Sequence, residues 1–308
     1  MSKAKGAFAT LLSSPTYVAG TLVLDYTLRE VGSKYPLVVM VSSGVPKECL
    51  DVLAIRKIKT IPVERLTPKV EGSAILDERF SDTWCKLAAF NLVDYERVVL
   101  LDSDMIVRKS MDELIEMPLN DGWIAAVHVC ACNPRRIDYY PADWIPENCA
   151  FSSIPYPPEI KEGCPRPYTL LNSGTVVLTP STQTFREIEH HLATSPSVEK
   201  YRFPDQDLLA EFFYGKWKPL PYTFNALKTL RVIHEKLWRD EDIRCVHYIL
   251  GDKPWKKRPN REEGKQGPHY EVNSWWWDAY FRLQREIERV RTEDNEKALG
   301  YVEQYVAA

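Results

Sequence analysis

The sequence predicts an α/β protein: a mostly parallel sheet with helices on its faces. Three observations carry that expectation. Through the N-terminal half, short apolar β-branched runs alternate with stretches of helical spacing. Val98-Val99-Leu100-Leu101 is apolar without alternation, the pattern of a strand buried on both faces. Helix-start signals also punctuate the runs, as at Ser14-Pro15, an N-cap followed by proline at the first helical position.

In chain order, Ala7 to Leu12 reads as a strand. Tyr17, Val18, Leu22 and Tyr26 then keep helical spacing. Leu37 to Val41 is a second buried strand and Ile58 to Val63 a third, and Thr83 to Leu92 is helical and leads into the strand that ends at Asp102. From Cys130 to Tyr168 periodicity dissolves into Pro, Tyr, Cys and Asn, the composition of an ordered loop over the active face. It returns with a strand from Gly174 to Leu178, a helix capped by Thr179-Pro180 and running through His191, and a helix from Asp205 to Phe213 with acids in its first turn. Past Pro259 a polar linker precedes Trp275-Trp276-Trp277, which opens a helix rich in Arg and Glu. No sharp boundary interrupts this order. Residues 1–260 are expected to form one catalytic domain with an insert at about 130–168, and residues 261–308 a linker and helix packed on it or extending it.

Composition excludes several classes. Net charge is −3 and the isoelectric point near 6.1, so no global basic field recommends nucleic acid as a partner. No stretch is long and apolar enough to span a membrane, and no GxGxxG follows the first strand. The N-terminal residues Met1 to Gly6 do not read as a secretory signal, and seven cysteines without one are expected as reduced thiols in the cytoplasm. Cys130, Cys132, Cys149 and Cys164 are spaced more widely than the usual zinc-knuckle pair and read first as buried thiols of the insert. The three consecutive tryptophans read first as a plug against the sheet and second as a dimer or membrane-surface patch.

The chemistry concentrates at Asp102-Ser103-Asp104. Two carboxylates one residue apart follow a buried strand; in an extended backbone both point to the same side, and ligands of open α/β sheets bind at the carboxyl ends of strands. Hard oxygen donors there suit Mn²⁺ or Mg²⁺ holding the phosphates of a nucleotide. His247 follows a short strand and can complete such a shell, while Lys253 and the Gly251 N–H can hold a diphosphate. Asn172-Ser173-Gly174 sets short polar side chains beside a glycine, and Asp205-Gln206 sets a carboxylate and an amide at a helix start, suited to sugar hydroxyls. Taken singly, each has a plainer reading: an ordinary turn, a helix-start acid, a half-buried histidine, a solvated Lys86.

In this order the pieces resemble glycosyltransferase family 8, the group of glycogenin and galactinol synthase. The resemblance runs from Ala7-Phe8-Ala9-Thr10-Leu11, with Tyr17 and Gly20, through Trp84-Cys85-Lys86-Leu87 and Leu101-Asp102-Ser103-Asp104. It continues through Asn172-Ser173-Gly174 and Asp205-Gln206 to the segment His247 to Trp255. It implies a GT-A fold with a Rossmann-like sheet, and a retaining transferase using a UDP-sugar and Mn²⁺, with Mg²⁺ as the substitute. By the same resemblance Asp102, Asp104 and His247 would bind the metal. Leu11, Ser13, Ser14 and Tyr17 would contact uridine, with Tyr17 stacked on the base. Gly251 and Lys253 would grip the diphosphate. Lys86, Ser103, Asn172, Ser173, Asp205 and Gln206 would surround the donor sugar, and whether retention proceeds by same-face attack or through Asp205 stays open.

Departures from the pattern bear on the acceptor. In glycogenin-like chains a self-glucosylated Tyr lies seven residues past an Asn equivalent to Asn225; Val232 stands there instead, and no Tyr lies between Asn225 and Cys245. The insert, Pro204 to Leu209 and Trp276-Trp277-Asp278 look more like galactinol synthase, which implies a hexosyl unit, galactose or glucose, passed to a small polyol or saccharide. The alternatives are a glycogenin-like glucosyltransferase acting on protein or glucan, a catalytically silent UDP-sugar-binding protein, and a haloacid-dehalogenase phosphatase. The last is disfavoured because its Asp motif opens the domain, whereas here a long α/β stretch precedes it. A homodimer is left open.

Overall fold

The computed structural model describes residues 3–68, 83–262, 266–290 and 292–307. Met1, Ser2 and residues 263–265 of the expected polar linker lie outside the described residues. The chain divides into two compact units, each assembled from separated stretches of sequence. The central unit comprises Met1–Ala7, Val63–Leu100 and Glu113–Phe224; the terminal unit comprises Phe8–Pro62, Leu101–Asp112 and Asn225–Ala308.

The terminal unit opens with β1 (Ala7–Leu12), α1 (Val18–Glu30), β2 (Leu37–Ser42), α2 (Lys47–Ile55) and β3 (Lys59–Val63). β1 pairs in parallel with β2, Ala9 opposite Val38, and both strands are almost wholly buried, as their unbroken apolar runs require. The Ser14-Pro15 signal is used as expected: Ser14 Oγ accepts from Thr16 N–H and Pro15 begins a 3₁₀ turn that feeds α1. β3 differs from its expected burial, with most of its residues half or fully exposed. Its order β3-β2-β1 puts it at an outer position, which leaves its charged and polar side chains in solvent.

The central unit carries β4 (Val98–Leu101), followed in the chain by β5 (Met105–Val107) of the terminal unit and then by the single-turn helix α3 (Glu113–Glu116) and β6 (Ile124–His128). After the insert come β7 (Leu171–Leu178), α4 (Thr182–Thr194), α5 (Pro204–Phe212) and β8 (Trp217–Pro219), in the strand order β4-β7-β6-β8. β6 runs parallel to β8 but antiparallel to β7, with a register irregularity between Ala126 and Val127. The segment expected as a helix at Thr83 to Leu92 is a 3₁₀ helix, Thr83–Asn91, whose side chains are buried almost consecutively. β7 begins earlier than expected, so Asn172, Ser173 and Gly174 are strand residues, and α4 is capped by Ser181, whose Oγ accepts from Thr184 N–H.

The remaining elements return to the terminal unit: β9 (Ala226–Leu227), α6 (Leu230–Ile233), β10 (Cys245–His247), α7 (Tyr270–Glu288) and α8 (Glu293–Glu303). The three tryptophans lie in the middle of α7, not at its start. Trp276 is fully buried, stacked on Tyr280 at 5.2 Å and 5.6 Å from Trp255, and Trp277 Nε1 donates to Pro254 O. The helix is therefore part of this unit's core, packed on α1 and on the turn that carries Trp255. A buried ion cluster fixes α1 to α2: Asp25, 1% exposed, accepts from Arg29 and from the Arg56 guanidinium that closes α2. Trp276→Ala is expected to cost about 3–5 kcal/mol through the cavity it leaves. Trp275→Ala, which removes a half-buried ring under Arg108, should cost about 1 kcal/mol or less. Urea denaturation of the two variants measures the contrast.

Candidate active site

The geometry around Asp102 and Asp104 follows from a three-stranded sheet of very short strands, β5-β10-β9. β10 pairs antiparallel with β5, and the register sets His247 opposite Met105. Tyr248 N–H continues the ladder to Asp104 O at 2.9 Å. On its other side β10 runs parallel to β9, with His247 opposite Leu227 and Asn225 just before that strand. The imidazole thus lies between the carboxylates and an amide. His247 Nε2 is 3.4 Å from Asp102 Oδ2 and 3.4 Å from Asp104 Oδ1, and His247 Nδ1 lies 2.9 Å from Asn225 Oδ1.

The amide oxygen can only accept, so it assigns the proton to Nδ1 and leaves the Nε2 lone pair facing the two acids. Two carboxylate oxygens and one imidazole nitrogen, all within 4.8 Å of one another, are a donor set that fits Mn²⁺ or Mg²⁺. Asp102 and Asp104 sit in the turn between β4 and β5, and this turn, not strand alternation, makes their carboxylates converge.

Lys253 closes the cluster from the other side. Its Nζ donates to Asp104 Oδ2 and to Tyr248 O, and it lies 5.8 Å from the Tyr17 ring centre. Burial alone would raise the Asp104 carboxyl, but the Lys253 ammonium holds it well below the usual carboxylate range. Burial would likewise lower the Lys253 ammonium, yet the Asp104 charge wins and raises it, so lysine and carboxylate stay a charged pair.

The other nucleotide-side residues fall in the same unit. Leu11 is on β1, Ser13 and Ser14 on the turn leaving it, and Tyr17 at the head of α1 with its ring edge-on to Trp255 at 5.5 Å. Gly251 is exposed in the loop after β10, and its carbonyl accepts from Lys256. Ser103 is buried between the two acids, and its carbonyl lies against Gly20. A Cβ on Gly20 would stand 2.4 Å from that oxygen and 3.0 Å from the Trp255 ring. Glycine is required there for close approach of α1 to the acidic turn.

Of the residues matched to the donor sugar, Lys86, Asn172, Ser173, Asp205 and Gln206 gather in the central unit, whereas Ser103 belongs to the terminal unit. Lys86, on the 3₁₀ helix, donates from Nζ to Asp205 Oδ2 at 2.7 Å and to Ser173 Oγ at 3.5 Å. Asn172 Nδ2 donates to Gln206 Oε1 at 3.1 Å while its own Oδ1 accepts from Gly174 N–H. β7 supplies Asn172 and Ser173, and the first turn of α5 supplies Asp205 and Gln206. Both the ion pair and its neighbours are largely buried, side chains 10% and 7% exposed for Lys86 and Asp205. Asp207, one turn position on, is pushed up to about 6 by burial, and its carboxylate accepts from the Arg202 and Phe203 N–H groups that precede α5. Asn225 and Asp207 are the positioning residues that the sequence did not single out. Asn225 entered only as a landmark, and its role is set by a strand pairing distant in sequence.

An α/β fold that gathers two acids, an imidazole and a buried lysine suits the class of enzymes that hold a diphosphate beside a divalent cation. Within that class the sequence profile of glycosyl transferase family 8 matches residues 10–258, and the chain belongs to this family. It is similar to galactinol synthase 1 of Solanum lycopersicum, 29% identical over 285 residues that cover 91% of this chain and 83% of that one. Galactinol synthase 2 of Arabidopsis thaliana is 27% identical over 313 residues, covering 99% and 89%. Among solved structures, the galactosyltransferase LgtC in complex with donor and acceptor sugar analogues superposes with a TM-score of 0.63 at 17% identity, covering 95% of this chain and 99% of that one. The glycosyltransferase GlyE of Streptococcus pneumoniae TIGR4 gives 0.58 at 14% identity, covering 98% and 65%. These likenesses give the GT-A fold that the family resemblance implies.

Two variants test how the acidic turn is held. Gly20→Ala should cost about 1–3 kcal/mol by overpacking and weaken UDP binding along with it, read by thermal melting and calorimetry. Asn225→Ala frees the imidazole and should weaken affinity for a divalent cation roughly 10–100-fold, read by titration with Mn²⁺ and with Mg²⁺.

Proposed function

We propose that this chain moves a hexosyl unit, galactose before glucose, from a UDP-sugar to a small polyol or saccharide. The anomeric configuration is retained and Mn²⁺ is required, as in a galactinol synthase-like reaction. The observation that carries the proposal is the Asp102–Asp104–His247 cluster with Lys253 bound to Asp104, in a chain aligned with galactinol synthases over most of both lengths. A divalent cation held by these three side chains would neutralise charge that builds on the diphosphate as the sugar leaves. Lys253, kept protonated by the Asp104 charge, supplies a second positive group for the same oxygens. Tyr17 offers an aromatic face to the base, and the Ser13–Ser14 turn short polar groups to the nucleoside.

In the central unit, Asp205 and Gln206 would hold sugar hydroxyls, and Asn172 orients Gln206 by taking up its Oε1. The Lys86 ammonium on Asp205 Oδ2 draws on the electron density that a covalent step through that carboxylate needs. It therefore supports displacement on the face from which UDP departs. A self-priming glucan reaction is disfavoured by Val232 at the position where glycogenin-like chains carry the modified tyrosine.

The deciding assay is UDP release with Mn²⁺ from UDP-galactose, UDP-glucose and UDP-N-acetylglucosamine, each with and without myo-inositol and with an EDTA control. Metal-dependent release from UDP-galactose, stimulated by inositol, is the expected result. Release without stimulation redirects the acceptor, and UDP binding without release from any donor leaves a sugar-nucleotide-binding protein. In the same assay Asp104→Asn should lower turnover by roughly 10²-fold or more and weaken UDP binding only when metal is present. Near-normal turnover would remove the metal assignment.

A further inference from the structure

A second set of metal donors lies apart from the acidic turn, in the insert of the central unit. The Sγ atoms of Cys130, Cys132 and Cys149 all lie within 4.8 Å of one another, and those of Cys130 and Cys149 are 4.0 Å apart. Cys164, the fourth cysteine of the insert, stands outside this group. From these three thiols we propose a structural Zn²⁺ site that staples the insert.

Distance, backbone and chemistry each support the site. Tetrahedral Zn–S bonds of about 2.3 Å place neighbouring sulfurs roughly 3.8 Å apart, so the observed pair closes on an ion with a shift of a few tenths of an ångström. The backbone holding the thiols is fixed on both sides. Asn133, directly after Cys132, takes a left-handed conformation (φ 41°), and its Oδ1 accepts from Ile137 N–H at 2.9 Å, which turns the chain back. Cys149 is the hinge between two 3₁₀ turns: its N–H donates to Pro146 O and its carbonyl accepts from Ser152 N–H. Cys132 and Cys149 are buried and Cys130 is half-buried, so the three sulfurs are largely shielded from solvent.

The insert has only short 3₁₀ turns and a wall of rings, Tyr140 against Trp144 and Phe151 against Tyr156, so a metal would supply the order that regular hydrogen bonding does not. Each thiol gives up its proton on binding, so Zn²⁺ and three thiols yield three protons and a three-thiolate complex. Soft sulfur donors favour Zn²⁺, whereas the oxygen-rich acidic turn suits Mn²⁺ or Mg²⁺. The two sites therefore differ in the ions they select.

The full-length protein, purified with reductant and zinc and then desalted, is expected to keep about one zinc per chain. Replacing zinc by Co²⁺ should give an intense near-ultraviolet thiolate-to-cobalt charge-transfer band, which oxygen and nitrogen ligands do not produce. That band should survive Asp104→Asn and disappear in Cys132→Ser and Cys149→Ser. Chelation of the wild-type protein should speed proteolysis within residues 130–168. Absence of the band from the reduced wild-type protein overturns the proposal without need of any variant. So does a Cys130–Cys149 disulfide that forms with zinc present.

Discussion

The register of β10 between β5 and β9 is the constraint on which the carboxylate–imidazole cluster depends. These strands are two or three residues long, yet one pairing, His247 opposite Met105, sets the imidazole beside Asp104 and the neighbouring strand brings Asn225 behind it. A slip of one residue would turn His247 to the opposite face and bring Val246 or Tyr248 in its place. Strands this short have little pairing energy of their own. Their register is held by what packs around them: Thr27 of α1 accepts from Val107 N–H, and Tyr248 Oη donates to Val272 O of α7.

Electrostatics in both clusters follows one rule, that buried charge is retained only where it is paired. Lys253 with Asp104, Lys86 with Asp205, and Arg56 with Asp25 are each close pairs of largely buried side chains. Lys228 obeys it too. Fully buried, it donates to Asp252 O at 2.6 Å and lies 3.0 Å from the Asp252 carboxylate, tying the loop that carries Gly251 and Lys253 to the strand ending at Leu227. The pairs at Lys253 and Lys86 leave positive groups fixed in place before any ligand arrives, so little reorganisation is needed when an anion binds.

Much of this was legible in the sequence, and the divisions are physical. Strand ends and short motifs are local, so Asp102, Asp104, His247 and Lys253 could be read together from the order of their motifs. Tyr17 and Gly20 followed from the same order, though only the structure shows Gly20 pressed on the Ser103 carbonyl. What escaped is non-local. The antiparallel seat of β6 against β7 and the service of Asn225 to His247 rest on pairings between distant segments. The gathering of three cysteines without Cys164 is set by turns at Asn133 and Pro146 that spacing alone does not fix. The 3₁₀ form of Thr83–Asn91 shared its apolar pattern with an α-helix, and the plug role of Trp276 was one of two readings until its burial was seen.

The interleaving of the two units has a consequence for biosynthesis. The terminal unit takes its strands from residues 8–62, 101–112 and 225–308. Asp104 emerges from the ribosome well before the strand that carries His247, and at roughly 5–20 residues per second the interval is on the order of ten seconds. Through that interval β5 has no β10 to pair with and α1 has no α7 packed against it. The nascent chain is thus exposed at a segment that is buried in the finished protein, and a chaperone that shields it would have to release it only when the last helices are made.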